Sequence, residues 1–232
     1  MDTWQRLAYE DFKTKILARD NGLKTFPCVY ATMGYRSDDH RYVFLESDNP
    51  GEPRNIRIIG PALTDYLSVS RSLGPNTSLV IIGQSSPTMR TVHEYNDTFW
   101  DMLRGLRIFD TVPWPTDIPT KILSEKWAFA YGGEPIFPVM LTPAHSRRWS
   151  RQMSVPVIAI QPKWVLDNLL GTPEKRESAQ NKVRKLIKEY DQTTLSPDLT
   201  SYGDAGTSES HQLCLLDENE SAHLPFANLD ER

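Results

Sequence analysis

The chain has 232 residues, of which 39% are hydrophobic and 24% charged; this fits one globular domain, alone or with a tail, and excludes collagen-like, coiled-coil and wholly disordered classes. Lysine and arginine number 26 against 30 aspartates and glutamates, a formal charge of -4, so no basic excess exists to neutralise phosphates and no nucleic-acid partner is expected. Cys28 and Cys214 lie far apart and supply neither a disulfide framework nor a C-x-x-C knuckle, no apolar run approaches a membrane span, and the opening residues lack a secretory pattern. A cytoplasmic protein with no membrane partner is the expectation.

In chain order, Trp4, Leu7, Ala8, Phe12, Ile16 and Leu17 recur at three- and four-residue spacings and predict a helix ending near Asn21-Gly22. Residues 26–32 and 42–45 are rich in aromatic and β-branched types and read as strands able to pair as a hairpin across Arg36-Ser37-Asp38-Asp39. Ile56-Arg57-Ile58-Ile59 reads as a short edge strand, and Pro61 as the start of a helix burying Leu63, Tyr66 and Leu67. The apolar run Leu79-Val80-Ile81-Ile82, closed by Gly83, has the pattern of a central strand buried on both faces. Val92, Phe99, Met102, Leu103, Leu106 and Phe109 form a helical stripe that stops at Asp110 and Pro113. Residues 127–131 and 136–141 flank Gly132-Gly133-Glu134-Pro135 as two arms of a hairpin, and residues 155–160 make one more strand. Trp164 opens a short helix, and Ala179, Val183, Leu186, Ile187 and Tyr190 stripe a charged helix over residues 173–191. The whole predicts α+β: a single domain over residues 1–191, with a mixed β-sheet of about six strands packed with helices. Residues 192–232 read as an extended polar tail, docked through Leu213-Cys214-Leu215-Leu216 and otherwise partly disordered.

Standard motifs are absent. No G-x-G-x-x-G follows a strand, no Gly-Lys-Ser/Thr closes a phosphate loop, Gly83-Gln84-Ser85-Ser86-Pro87 lacks the second glycine of a nucleophile elbow, and the histidines have no zinc-ligand spacing. The densest unusual stretch is Thr142-Pro143-Ala144-His145-Ser146-Arg147-Arg148-Trp149-Ser150-Arg151, directly after a predicted strand. Three arginines beside a histidine on an acidic chain suit a ligand with acid groups, and neutral imidazole binds iron; equally, the arginines can pair with surface carboxylates around an ordinary loop histidine. Cys28 reads either as a small buried hydrophobe or as a thiolate iron ligand. Trp114, Trp127, Phe129, Tyr131 and Phe137 either wall a flat cofactor pocket or fill the core. His93, on the helix before Phe99-Trp100, has a surface reading.

Taken in order, Phe26-Pro27-Cys28, Phe99-Trp100 with Leu103, Leu106 and Asp110, Pro113-Trp114-Pro115, Trp127 with Phe129, Gly133-Glu134-Pro135-x-Phe137, Pro143-Ala144-His145-x-x-Arg148-x-Ser150-Arg151 and Gln161-Pro162 resemble the motifs of the YqcI/YcgG family over residues 26–204. That family includes heme-dependent N-oxygenases of natural-product pathways. The resemblance implies a heme b monooxygenase of secondary metabolism that hydroxylates or oxidises an amine or guanidine nitrogen of a small amino-acid-like substrate. It would use dioxygen or peroxide with an electron donor, as a monomer or a homodimer. A non-catalytic heme or small-ligand binding protein is the alternative. His145 is the preferred iron ligand, because Arg147, Arg148 and Arg151 gather around it for heme propionates or a substrate carboxylate, and Cys28 is the competing thiolate. Trp127 and Phe129 would wall the cofactor. Only an unprotonated nitrogen is oxygenated, so the substrate needs a nearby base or apolar surroundings to lose its proton, and Glu134 and His93 are the candidates for the base. Where family members carry a more aromatic run near the end, this chain has His211-Gln212-Leu213-Cys214-Leu215-Leu216.

Overall fold

The computed structural model of the chain describes residues 1–18 and 24–229. Among the described residues six α-helices, α1 (Thr3–Ile16), α2 (Val29–Arg36), α3 (Pro53–Leu73), α4 (Val92–Phe109), α5 (Lys163–Leu169) and α6 (Pro173–Tyr190), accompany strands β1 (Arg41–Phe44), β2 (Leu79–Ile82), β3 (Phe129–Tyr131), β4 (Glu134–Leu141) and β5 (Val157–Pro162). The strands form one five-stranded sheet in the order β1-β2-β5-β4-β3. Only the β1–β2 pair is parallel; β2–β5, β5–β4 and β4–β3 are antiparallel. This is the mixed α+β domain that the sequence predicts, with one strand fewer.

The pleat sorts side chains to two faces. Leu79, Ile81, Ile158, Ile160, Ile136 and Met140 join a large core with α3, α4 and parts of the C-terminal segment, including Leu213, Cys214 and Leu216. Val80, Ile82, Val157 and Leu141 face the other way, against Ala8, Phe12 and Ile16 of α1. β2 is buried along its whole length between β1 and β5, as its unbroken apolar run requires. α4 begins at a capping box in which the Thr91 side chain accepts from the Glu94 amide while the Thr91 amide donates to Glu94 Oε2 at 2.7 Å. The β3–β4 hairpin turns through Gly132 and Gly133, both at positive φ, a region glycine enters without steric cost.

Two predicted strands are helical. Residues 29–36 form α2, with Cys28 as its N-cap, so the predicted hairpin is absent and β1 pairs with β2 instead. A short apolar run carries no period long enough to separate strand from helix. Residues 56–59 lie inside α3, where Ile56, Ile59, Leu63 and Tyr66 make one buried stripe longer than any strand reading of the isoleucines alone. Pro53 occupies the first helical turn, where its missing N–H costs nothing, and Pro61 is interior. The predicted end of α1 at Asn21-Gly22 lies outside the described residues. Among the described residues, no helix is long and apolar enough to cross a membrane.

Candidate functional site

The loop after β4 is a hydrogen-bonded knot. His145 is buried, with Nε2 2.8 Å from the Leu215 carbonyl and Nδ1 2.9 Å from Thr142 Oγ1. A carbonyl only accepts, so Nε2 carries the proton and donates to Leu215, while Nδ1 accepts from the Thr142 hydroxyl. The Thr142 oxygen in turn accepts from the Ala144 amide at 3.1 Å, which completes a one-directional chain of donors. Burial pushes the His145 pKa down, with Arg151 and Arg148 acting the same way and the Leu215 hydrogen bond and Asp217 opposing, so the ring is neutral.

Arg148 is wholly buried and reaches the same segment: Nε donates to the Leu216 carbonyl at 2.6 Å and Nη2 to Asn219 Oδ1 at 3.2 Å. Asp217 reciprocates, accepting from the Ser146, Arg147 and Arg148 amides at 2.7, 3.2 and 2.8 Å. Desolvation pushes the Asp217 carboxyl up, but those donors outweigh it and hold the pKa below the ordinary value. Asp191, capping the end of α6, accepts from the Ser150 amide at 2.7 Å and lies 3.8 Å from Arg148 Nη1. Arg151 donates through Nη2 to the Gln212 carbonyl at 3.3 Å; burial brings its pKa to about 10, still a cation at neutral pH. The guanidinium of Arg147 is on an exposed residue, and its backbone carbonyl accepts from Gln192. The motif His145-x-x-Arg148-x-Ser150-Arg151 thus grips residues 212–219 and the end of α6.

These residues do not fit an iron ligand set in this arrangement. A metal on His145 Nε2 would take the place of the Leu215 carbonyl, and Nδ1 is engaged by Thr142. Cys28, at the start of α2, is exposed as a residue, yet its sulfur is desolvated, which holds the thiol pKa up against the Ala31 amide, Arg151 and the Tyr30 amide. Trp127 and Phe129 are fully buried in the main core, Trp127 against Trp100 at 6.1 Å and Phe129 against Trp114 at 6.2 Å. Glu134 is bound to Arg71 of α3 at 2.9 Å and stands at the far end of the eight-residue β4 from the loop that carries His145. His93 is exposed on the first turn of α4. Of the residues expected to share a site, the structure brings together His145, Arg148 and Arg151, with Cys28 close enough to Arg151 to feel its charge.

Beside this knot lies a cavity of about 600 Å3 between α5, α6 and residues 199–212, with Phe137 of β4 and Tyr30 of α2 in its wall. Leu166, Leu170, Val183 and Ile187 supply an apolar lining, and Lys163, Glu209 and Gln212 put polar groups into it. Gln212 links cavity to knot: its side-chain amide donates to Thr200 while its carbonyl receives Arg151. Glu209 is buried, with Oε2 3.3 Å from Lys163 Nζ and Oε1 without a partner among the described residues. Burial pushes the Glu209 carboxyl up to about 7, against the pull of Lys163. Lys163 Nζ also lies 3.3 Å from the centre of the Tyr202 ring. Sequence reasoning passed over Glu209, Lys163 and Asp217, because the first and last sit in a segment whose composition reads as a loose tail. The one legible signal was an acid placed directly after an apolar island.

Residues 12–227 match the YqcI/YcgG family. The chain is 31% identical to the uncharacterized protein YqcI of Bacillus subtilis (strain 168) over 97% of this chain and 89% of that one, and 32% identical to YcgG of the same organism over the same shares. It is also 30% identical, over 94% of this chain and 82% of the relative, to a putative N(omega)-hydroxy-L-arginine synthase, DcsA, of Streptomyces lavendulae. No solved structure matches. A family match spanning nearly the whole fold, knot and cavity included, establishes that the chain belongs to the YqcI/YcgG family.

Proposed function

We propose that this protein is an N-oxygenase that hydroxylates or oxidises a guanidine or amine nitrogen of a small amino-acid-like substrate, with heme b as its cofactor. The observation that carries the reading is the near full-length similarity to DcsA, whose name specifies oxygen on an arginine nitrogen. A cavity half open to solvent, with an apolar lining and charged groups in its wall, is a form that small-molecule sites take. Heme would supply the oxygen chemistry, and the protein the orientation and the dry surroundings. His145 Nε2 is engaged by the Leu215 carbonyl, so hemin titration decides the cofactor.

The test is to titrate the purified chain with hemin while recording the visible spectrum. The loaded protein is then supplied with a reductant and labelled dioxygen, or with labelled peroxide, together with L-arginine and other guanidines and amines. A saturable Soret band and a product gaining one labelled oxygen are expected. Neither a band nor an oxygenated product would sink the proposal. The engaged nitrogens of His145 favour a second reading, a small-ligand binding protein without turnover, which predicts ligand binding with no product.

A further inference from the structure

Buried acceptors are almost always satisfied, and one left unmade costs on the order of 1–3 kcal/mol, so an exception aimed into a cavity points to a missing donor. Glu209 is such an exception: the residue is 5% exposed, it lines the cavity, and Oε1 has no partner among the described residues. Its other oxygen is only loosely held, because the 3.3 Å to Lys163 Nζ exceeds the usual charge-assisted distance of about 2.7–2.9 Å. Lys163 is shared with the face of Tyr202 and does not saturate the carboxylate. Leu166, Val183 and Ile187 line the same space, and an ion pair formed against such apolar surfaces is stronger than one in open water. Arg176 and Arg184 of α6 line the same space, Arg184 with Nη2 on the Leu199 carbonyl at 3.0 Å, so the lining carries positive groups as well as the acid. Asp167 of α5 is the second acidic group in the lining.

We propose that the cavity between α5, α6 and residues 199–212 is the binding site for a small amino-acid-like molecule, whose cationic nitrogen is received by Glu209 and whose carboxylate faces Lys163, Arg176 and Arg184. The proposal deepens the N-oxygenase reading by placing its substrate, and rests on that reading for the identity of the probe. The groups that act on Glu209 are Lys163 and Asp167 from α5, with Tyr202 from the C-terminal segment beside it, while Arg176 and Arg184 of α6 line the same cavity. With the carboxyl pKa pushed up to about 7, much of Glu209 is protonated in the empty cavity at neutral pH. Arrival of a cation favours the carboxylate and expels that proton. Binding therefore strengthens as pH rises through about 7 and releases a proton below it.

Isothermal titration calorimetry of the full chain, with L-arginine, L-lysine, agmatine and putrescine as probes, reads this directly. At least one probe is expected to bind saturably, more tightly at pH 8 than at pH 6, with a binding heat at pH 6 that depends on the ionisation enthalpy of the buffer. Glu209→Gln is expected to weaken binding about ten-fold or more and to remove both pH effects, since one charge-assisted hydrogen bond is lost. Leu166→Trp, which fills the cavity from a half-buried wall position, is expected to abolish binding. Thermal melts show that each variant is folded. Failure of all four probes to bind the wild type, or wild-type affinity in both folded variants, overturns the site. Oxygenation that survives both substitutions overturns the site and leaves the N-oxygenase reading standing. Binding with the predicted pH dependence but no oxygenated product does the reverse.

Discussion

His145 holds two buried partners that belong to different parts of the chain, Thr142 three residues away and Leu215 seventy residues away. Replacing it with alanine leaves a hydroxyl and a carbonyl unpaired and opens a void, so His145→Ala is expected to cost on the order of 2–4 kcal/mol. It should also loosen residues 212–219. Urea unfolding followed by limited proteolysis checks both, and wild-type stability with unchanged cleavage would refute the role. The pH sign follows from the depressed pKa of the buried ring. The unfolded chain takes up a proton near the ordinary histidine value of 6.5 while the folded ring stays neutral, so stability is complete above that pH and falls as pH drops below it. His40, which burial lowers to about 4, adds a loss of the same sign, so His145→Ala flattens the acid limb without abolishing it.

At the scale of elements, α2 and α3 show why short apolar runs misled. The isoleucines at 56, 58 and 59 fit a strand in isolation, yet Ile56 and Ile59 become rungs of the stripe that α3 buries against α4. Close approach between elements is written in two glycines. A Cβ on Gly34 of α2 would stand 2.3 Å from the Asn76 carbonyl oxygen and 2.6 Å from His40 Nε2, whereas one on Gly105 of α4 would meet the end of the Ile56 side chain at 2.8 Å. Backbone cannot yield as a flexible methyl can. Gly34→Ala is therefore expected to destabilise by about 2 kcal/mol or more, and Gly105→Ala by clearly less. Comparing their denaturation midpoints checks the ranking, and equal losses would count against it. α4 and the β3–β4 hairpin were legible because each carries its own signals, a capping box in one and paired glycines in the other.

Across the whole molecule, the C-terminal segment is part of the core. Leu213, Cys214, Leu216, Ala222 and Leu229 pack with α3, α4 and the sheet, and the Met140 amide of β4 donates to the Leu213 carbonyl at 2.8 Å. Burying a large apolar side chain is worth about 1.5–3 kcal/mol, so losing this set removes an amount comparable with the roughly 5–15 kcal/mol stability of a domain. A chain ending at Asp191 is expected to lose cooperative unfolding and near-ultraviolet circular dichroism. A sharp transition in that truncation would show that residues 1–191 stand alone.

What the sequence determined by itself was local: the buried run of β2, the stripe of α4, the hairpin of β3 and β4, the α+β class, and an ordered set of motifs specific enough to indicate the family. Each depends on periodicity or on neighbouring residues, which a linear reading contains. Tertiary structure alone decided that β1 pairs in parallel with β2, that Glu134 stands apart from His145 on Arg71, and that Trp127 and Phe129 fill the core. It likewise brought Asp217 to the amides of residues 146–148 and buried Glu209 in a cavity. Those outcomes depend on which distant segment arrives to satisfy a buried donor or acceptor, and no spacing along the chain carries that information.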